Sequence, residues 1–188
     1  DKEPAQSENT KSQPLSVWVE PTLVPEDNPL AGVNGVNNAI LVEGNPIGQV
    51  MFFGPGAGSG PTASAVVADI LNIAGIQSMS EDKILNLDPL LSAKSWKTCH
   101  VAEEKEITKK NYIRLIAEDS PGVIGQIGTI FGKKKISIES IVQFDASHNE
   151  AEIVVITHKI KLGQLKEALL DIKDLAQVKR IAATMGCL

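Results

Sequence analysis

The chain has 188 residues, 43% of them hydrophobic and 22% charged, with 18 basic against 23 acidic side chains for a net charge of −5. That composition is enough for one domain or two small ones with an apolar core, and it carries no basic footprint for a nucleic-acid partner. No apolar run approaches the roughly 20 residues of a membrane span, and no signal-peptide pattern opens the chain. The two cysteines, Cys99 and Cys187, form no CxxC pair or disulfide framework. His100, His148 and His158 are scattered, so no metal ligand set is read. The expected setting is reduced and cytoplasmic. The first residue is Asp1 rather than Met, which suggests a piece of a longer protein.

Residues 1–14 are polar without an apolar period and read as a flexible segment or surface loop. An extended segment starts at Val17-Trp18-Val19, and Pro21 and Pro25 keep it from being a regular central strand. Glu26-Asp27-Asn28-Pro29 is turn chemistry. Two strands follow, Asn38 to Glu43 and Ile47 to Phe53, joined through Gly44-Asn45-Pro46 as a hairpin. The run Val50-Met51-Phe52-Phe53 predicts a buried strand. It stops at a turn in which Gly54, Gly56, Gly58 and Gly60 alternate with Pro55, Ala57 and Ser59. Pro61 then opens a helix. Ala63, Val66, Val67, Ile70, Leu71 and Ala74 give that helix an apolar face, and Gly75 is placed to end it in a left-handed cap.

A strand, a glycine turn and a helix start together offer backbone N–H groups to an anion or polar ligand. The turn is neither a Walker A loop nor a Rossmann fingerprint: no Gly-Lys-Ser/Thr follows it, and the sixth position is Ser59 counted from Gly54 or Pro61 counted from Gly56. A tight strand-to-helix turn with no ligand is the plain alternative. Glu20 and Asp69 are conceivable acid–base groups, but nothing pairs them into a constellation, and both read as solvated or helix-polar positions.

From Trp18 to Asp69 the chain resembles the C-terminal part of the catalytic region of homoserine dehydrogenase. The resemblance rests on Pro21-Thr22-Leu23-Val24-Pro25, Pro29-Leu30-Ala31, Asn38-Ala39, Gly54-Pro55-Gly56-Ala57-Gly58 and Pro61-Thr62-Ala63-Ser64-Ala65-Val66, in that order. It implies that the Gly56-Ala57-Gly58 turn lies beside the nicotinamide end of NAD(P), with Gly54 and Thr62 as neighbours. It further implies hydride transfer between NAD(P) and C4 of the substrate, interconverting homoserine and aspartate semialdehyde. The family's Rossmann domain, which binds most of the cofactor, and its catalytic Lys and Asp precede the matched region. No catalytic residue is therefore assigned, and the chain by itself is expected to be inactive.

Residues 80–106 mix charge, Pro89 and short apolar pieces around Trp96 and read as a connector that closes a catalytic portion spanning 15–79. A second unit is expected over 107–188. Tyr112 to Ala117 reads as a strand, and Asp119-Ser120-Pro121-Gly122 as a turn into a helix with Val123, Ile124, Ile127 and Phe131 on its apolar face. Asp119 is the candidate N-cap. Ile136 to Phe144 and Ala151 to Ile156 read as strands around a polar hairpin loop at Asp145 to Glu150. Leu162 to Ile172 follows as a helix and Val178 to Ala182 as a strand. Lys133-Lys134-Lys135, between helix and strand, reads as a solvated turn.

The order β-α-β-β-α-β is the ferredoxin-like plan. With Asp119-Ser120-Pro121-Gly122-Val123-Ile124-Gly125 at its first strand–helix junction, it resembles an ACT domain, a module that binds small amino acids. The resemblance implies an effector site at Asp119, Gly122, Val123, Ile124 and Gln143, with Ile141 as core or pocket wall, often across a homodimer or larger homo-oligomer. The expected fold class is thus α+β: part of a mixed α/β catalytic region followed by a ferredoxin-like ACT domain. The expected partners are a small-molecule substrate and an amino-acid effector, threonine first. The rival reading is a stand-alone amino-acid-binding regulatory protein without catalysis.

Overall fold

The computed structural model describes residues 14–78, 99–146 and 149–188. The readings made for 1–13, for the connector around Trp96 and for the middle of the hairpin loop at 147–148 lie outside the described residues. The elements are β1 (Thr22–Leu23), β2 (Asn37–Gly44), β3 (Gly48–Pro55), α1 (Ser59–Gln77), β4 (Thr108–Glu118), α2 (Val123–Lys133), β5 (Ile138–Ala146), β6 (Glu150–Thr157), β7 (Ile160–Lys161), α3 (Leu162–Lys173) and β8 (Val178–Cys187). Two compact units result: one is residues 24–98, and the other joins residues 1–23 to 99–188.

In the first unit, β2 and β3 pair antiparallel from Asn37↔Pro55 to Gly44↔Gly48. The expected hairpin is present. Asn28 caps a short 3-10 turn over Pro29–Gly32 by accepting from the Leu30 N–H at 2.9 Å. Three local expectations are corrected. Val50 to Phe53 does not form a buried strand, because no described residue of 24–78 is buried and Phe52 is 63% exposed. The helix begins at Ser59, two residues before Pro61, and it continues through Gly75 to Gln77. Its C-cap is Ser78, whose hydroxyl donates to the Gly75 carbonyl at 2.7 Å, so no left-handed glycine is needed. Val66, Val67, Ile70, Leu71 and Ile73 are all exposed. A hairpin and a helix with no layer packed over them bury little by themselves.

The second unit is a sheet in the order β1-β8-β4-β6-β5, with β7 paired to the start of β4. Its internal pairs are antiparallel, while β1 joins β8 in parallel through Thr22↔Gly186 and Leu23↔Cys187. The sequence β4-α2-β5-β6-α3-β8 is the ferredoxin-like plan. Strand period sets which side chains enter the core: Ala151, Ile153, Val155 and Thr157 are buried along β6, and Ile113, Leu115 and Ala117 along β4. Helical period supplies the opposite layer, Val123, Ile127 and Phe131 from α2 and Leu165, Ala168 and Ile172 from α3. Each buried Val, Leu, Ile or Phe among these contributes about 1.5–3 kcal/mol. Ile141 is half-buried and packs against this cluster.

The pairing partners of this unit's outlying residues were not legible in sequence. Pro21 and Pro25 confine β1 to two residues at the sheet edge, where it still accepts from the Leu188 N–H through the Leu23 carbonyl at 3.1 Å. Glu20 is not at a solvated position: its carboxylate pairs with the buried Lys109 ammonium. Lys134, in the basic turn, reaches Asp171 and Glu167 on α3 at 3.2 and 3.3 Å.

Candidate functional site

A candidate ligand cleft is built at the C-terminal end of β4. The chain leaves the strand at Glu118, and the Asp119 N–H donates to the Asn149 carbonyl at 3.1 Å, holding the loop against the β5–β6 turn. Gly122 adopts φ +92°, a conformation that glycine reaches without a Cβ penalty, and it is the N-cap of α2. Asp119 is therefore not the cap. Its carboxylate instead accepts from the Gln143 amide at 3.0 Å, which ties the loop to β5.

No side chain caps α2, and its first turn contains no acidic residue. The N–H groups at the start of the helix thus take no side-chain acceptor from the helix itself, and the nearest carboxylate in the cleft, Asp119, is engaged by Gln143. The cleft holds about 360 Å³ and is lined by Asp119, Ser120, Pro121, Gly122, Ile124 and Gln143. Its parts are one carboxylate, one amide, helix-start N–H groups and one apolar wall. These complement the ammonium, carboxylate and short side chain of a small amino acid. Four of the five residues singled out from sequence, Asp119, Gly122, Ile124 and Gln143, meet here. Val123 does not: it is 3% exposed and belongs to the core. Ser120 and Pro121 complete the wall and were legible only as turn residues.

The glycine turn of the other unit follows β3. Gly56 donates its N–H to the Val36 carbonyl at 3.0 Å, and a Cβ at this position would overlap the Asn38 side-chain amide. The nearest atoms such a Cβ would meet all belong to the exposed Asn38 side chain of the hairpin itself, which can swing aside. Gly58 has φ +120° and precedes α1 as its N-cap, with the Thr62 N–H donating to its carbonyl at 3.1 Å. Gly54 lies within β3 with open space around it, and Ala57 sits in the bend between Gly56 and Gly58. No side chain caps α1, and no acidic residue lies in its first turn. The Ser59 and Gly60 end of the helix is therefore chemically suited to an anionic or carbonyl group. Glu20 belongs to the other unit, and Asp69 is exposed on α1. Among the described residues no three His, Cys, Asp or Glu side chains gather as a metal site, and no helix is long and apolar enough to cross a membrane.

Comparison with known proteins matches residues 4–71 to the homoserine dehydrogenase family and residues 111–177 to the ACT domain family. The chain is 46% identical over 177 residues to homoserine dehydrogenase of Synechocystis sp., covering 94% of this chain and 41% of that protein. It is 37% identical over 168 residues to the Neisseria gonorrhoeae homoserine dehydrogenase, covering 88% and 38% respectively. The crystal structure of a homoserine dehydrogenase from Thiobacillus denitrificans superposes with a TM-score of 0.79 at 29% identity, over 92% of this chain and 39% of that one. The chain thus spans about two fifths of the length of the relatives it matches. Both matches fall in the order that the glycine turn and the Asp119 loop suggest, and the chain belongs to the homoserine dehydrogenase family, as its C-terminal portion with the end of the catalytic region and an ACT domain.

Proposed function

We propose that the intact protein interconverts L-homoserine and L-aspartate 4-semialdehyde with NAD(P), in the cytoplasm, on the route to threonine, methionine and isoleucine. In this reading the ACT unit binds threonine as a feedback effector, in a homodimer or larger homo-oligomer. The observation that carries the regulatory part is the Asp119–Gln143 pair standing over the uncapped start of α2. Asp119 receives the effector's ammonium, the α2 N–H groups take its carboxylate, and Ile124 contacts its side chain. Gly122 keeps the approach open, and Val123 contributes its backbone rather than its buried side chain.

For the catalytic part, Gly56, Ala57 and Gly58 would line the nicotinamide end of the cofactor, with Gly54 and Thr62 behind them. The fit rests on the uncapped, acid-free start of α1. NAD(P), when bound, supplies the hydride acceptor and donor. This chain's residues position that end and contribute no acid or base. The exposed apolar side chains of α1 and of the β2–β3 hairpin are consistent with a covering layer from the rest of the longer protein. A stand-alone amino-acid-binding protein is disfavoured by the family match over residues 4–71.

The test is a calorimetric titration of threonine into the 188-residue chain and its Gly122→Val form. Binding at millimolar or tighter concentration, weakened in the variant, supports the reading. Absence of any heat or spectral change with any amino acid at that concentration overturns it.

A further inference from the structure

At the other end of β4, Lys109 places an ammonium in the interior: its side chain is 9% exposed and paired with Glu20, itself 26% exposed. Both Glu20 oxygens accept from Nζ. The carboxylate rests on Gly186 of β8, where a Cβ would overlap Oε1, lie 3.2 Å from Cδ and come within 3.6 Å of Lys109 Nζ. A buried ammonium requires an anionic partner, and the missing side chain at 186 leaves the volume that such a partner fills. Beside the pair, a cleft of about 260 Å³ opens between β4, β8 and α3, with Leu162, Leu165, Leu169 and Met185 on its apolar side and Asn111, Thr184 and the Glu104–Lys166 ion pair, 2.7 Å long, on its polar side. This is a built carboxylate socket continuous with a cleft that is apolar along α3 and polar opposite. Its present occupant comes from a segment held to the unit by the two-residue β1 and an isolated Leu15↔Val101 bridge.

We propose that this socket is a second ligand site, distinct from the Asp119 cleft, that takes a small monocarboxylate with an apolar body in exchange for Glu20. The ligand's carboxylate replaces Glu20 on Lys109 above Gly186, and its body lies against the leucines of α3. Docking of the residue 15–23 segment and binding of the ligand are then mutually exclusive. Because Glu20 is tethered, it competes at high effective concentration, and the free ligand binds the unaltered chain weakly.

Isovalerate, with isovaleramide as the uncharged control, is titrated by NMR into the 188-residue chain, its Glu20→Gln and Glu20→Ala forms, and the Glu20→Gln/Lys109→Met form. The double variant leaves no charge unpaired. Isovalerate is expected to bind both single variants at least tenfold more tightly than the unaltered chain, to lose binding in the double variant, and to be distinguished from the amide. In the unaltered chain, isovalerate is expected to speed exchange of the Leu188 amide that donates to Leu23. Equal affinity with and without Glu20, binding that survives Lys109→Met, equal binding of the amide, or no binding to either single variant up to roughly 50 mM, well above the millimolar range of weak ligands, each overturns the proposal.

Discussion

The Gln143 amide donates to the Asp119 carboxylate at 3.0 Å, joining residues 24 positions apart in the lining of the cleft beside α2. The bond orients the carboxylate that is proposed to meet an effector ammonium. Gln143→Ala is expected to weaken threonine binding by roughly 10-fold, in line with about 1.5 kcal/mol for a hydrogen bond to a charged group. Thermal melting should hardly change, because both residues are exposed. Calorimetry and a melting curve on the same sample check this, and unchanged affinity would show the pair to be only a surface contact.

Gly56→Ala is expected to perturb the hairpin-to-helix turn mildly, because its methyl group must displace the Asn38 amide, the free end of an exposed side chain. Asn38→Gly/Gly56→Ala should restore it. Amide shifts of Val36 and Thr62 report the outcome. In the intact enzyme, lost activity in the single variant that is restored by the double would mean that Gly56 serves the fold. Activity that stays lost would mean the cofactor needs that space.

Phe131→Ala should destabilise the ACT unit by about 3–5 kcal/mol, since a fully buried aromatic ring leaves a cavity among Ile127, Ile153 and the other core side chains. Denaturant unfolding followed by a probe in this unit measures it. A loss under about 1 kcal/mol would mean that the site collapses.

Glu152 is held below its ordinary range by the hydrogen bond from Arg114, at 2.6 Å, and by its charge. A lowered folded-state value means that the stabilisation is complete above the unfolded-state value of 4.5 and is lost as pH falls through the lower folded-state value. Glu152→Gln should therefore flatten the stability profile below about pH 4.5 while leaving its shape at neutral pH unchanged. The pair is solvent-accessible, so added salt should shrink the difference. Matched denaturation series at several pH values test this.

The two cysteines should differ in reactivity. Cys99 is exposed, whereas Cys187 is partly buried in β8 and desolvation pushes its thiol up. At pH 8, Cys99 is expected to be modified first, with Cys187 slower because it is partly buried and desolvation disfavours its thiolate. Mass-spectrometric mapping after brief alkylation decides the order.

Period and turn chemistry made the ACT sheet legible: the alternation around Ile153 and Val155 and the helical spacing of Val123, Ile127 and Phe131 correspond to core positions. Four of five proposed effector residues converge because a turn glycine, a loop carboxylate and a strand amide all lie at one sheet end. The misses have physical causes. Val123 looked like cleft and core alike, since sequence shows a helix's apolar side but not which neighbour it meets. Glu20 looked solvated because its partner Lys109 is 89 positions away, and no local pattern encodes such a pair. The Val50–Phe53 run promised burial, but hydrophobicity records what a strand needs and not whether its partner layer belongs to the same stretch of chain.

The edge strand β1 reaches the sheet from a point 85 residues ahead of β4, with residues 24–98 inserted between them. Cutting the chain at a single site near residue 107 would therefore yield a regulatory fragment with a bared β8 edge and a Lys109 deprived of its counter-ion. Transplanting this module onto another enzyme calls for two junctions, one after Leu23 and one before Cys99, as in the exchange of an inserted cassette. A single crossover between the two segments would instead part β8 and Lys109 from β1 and Glu20.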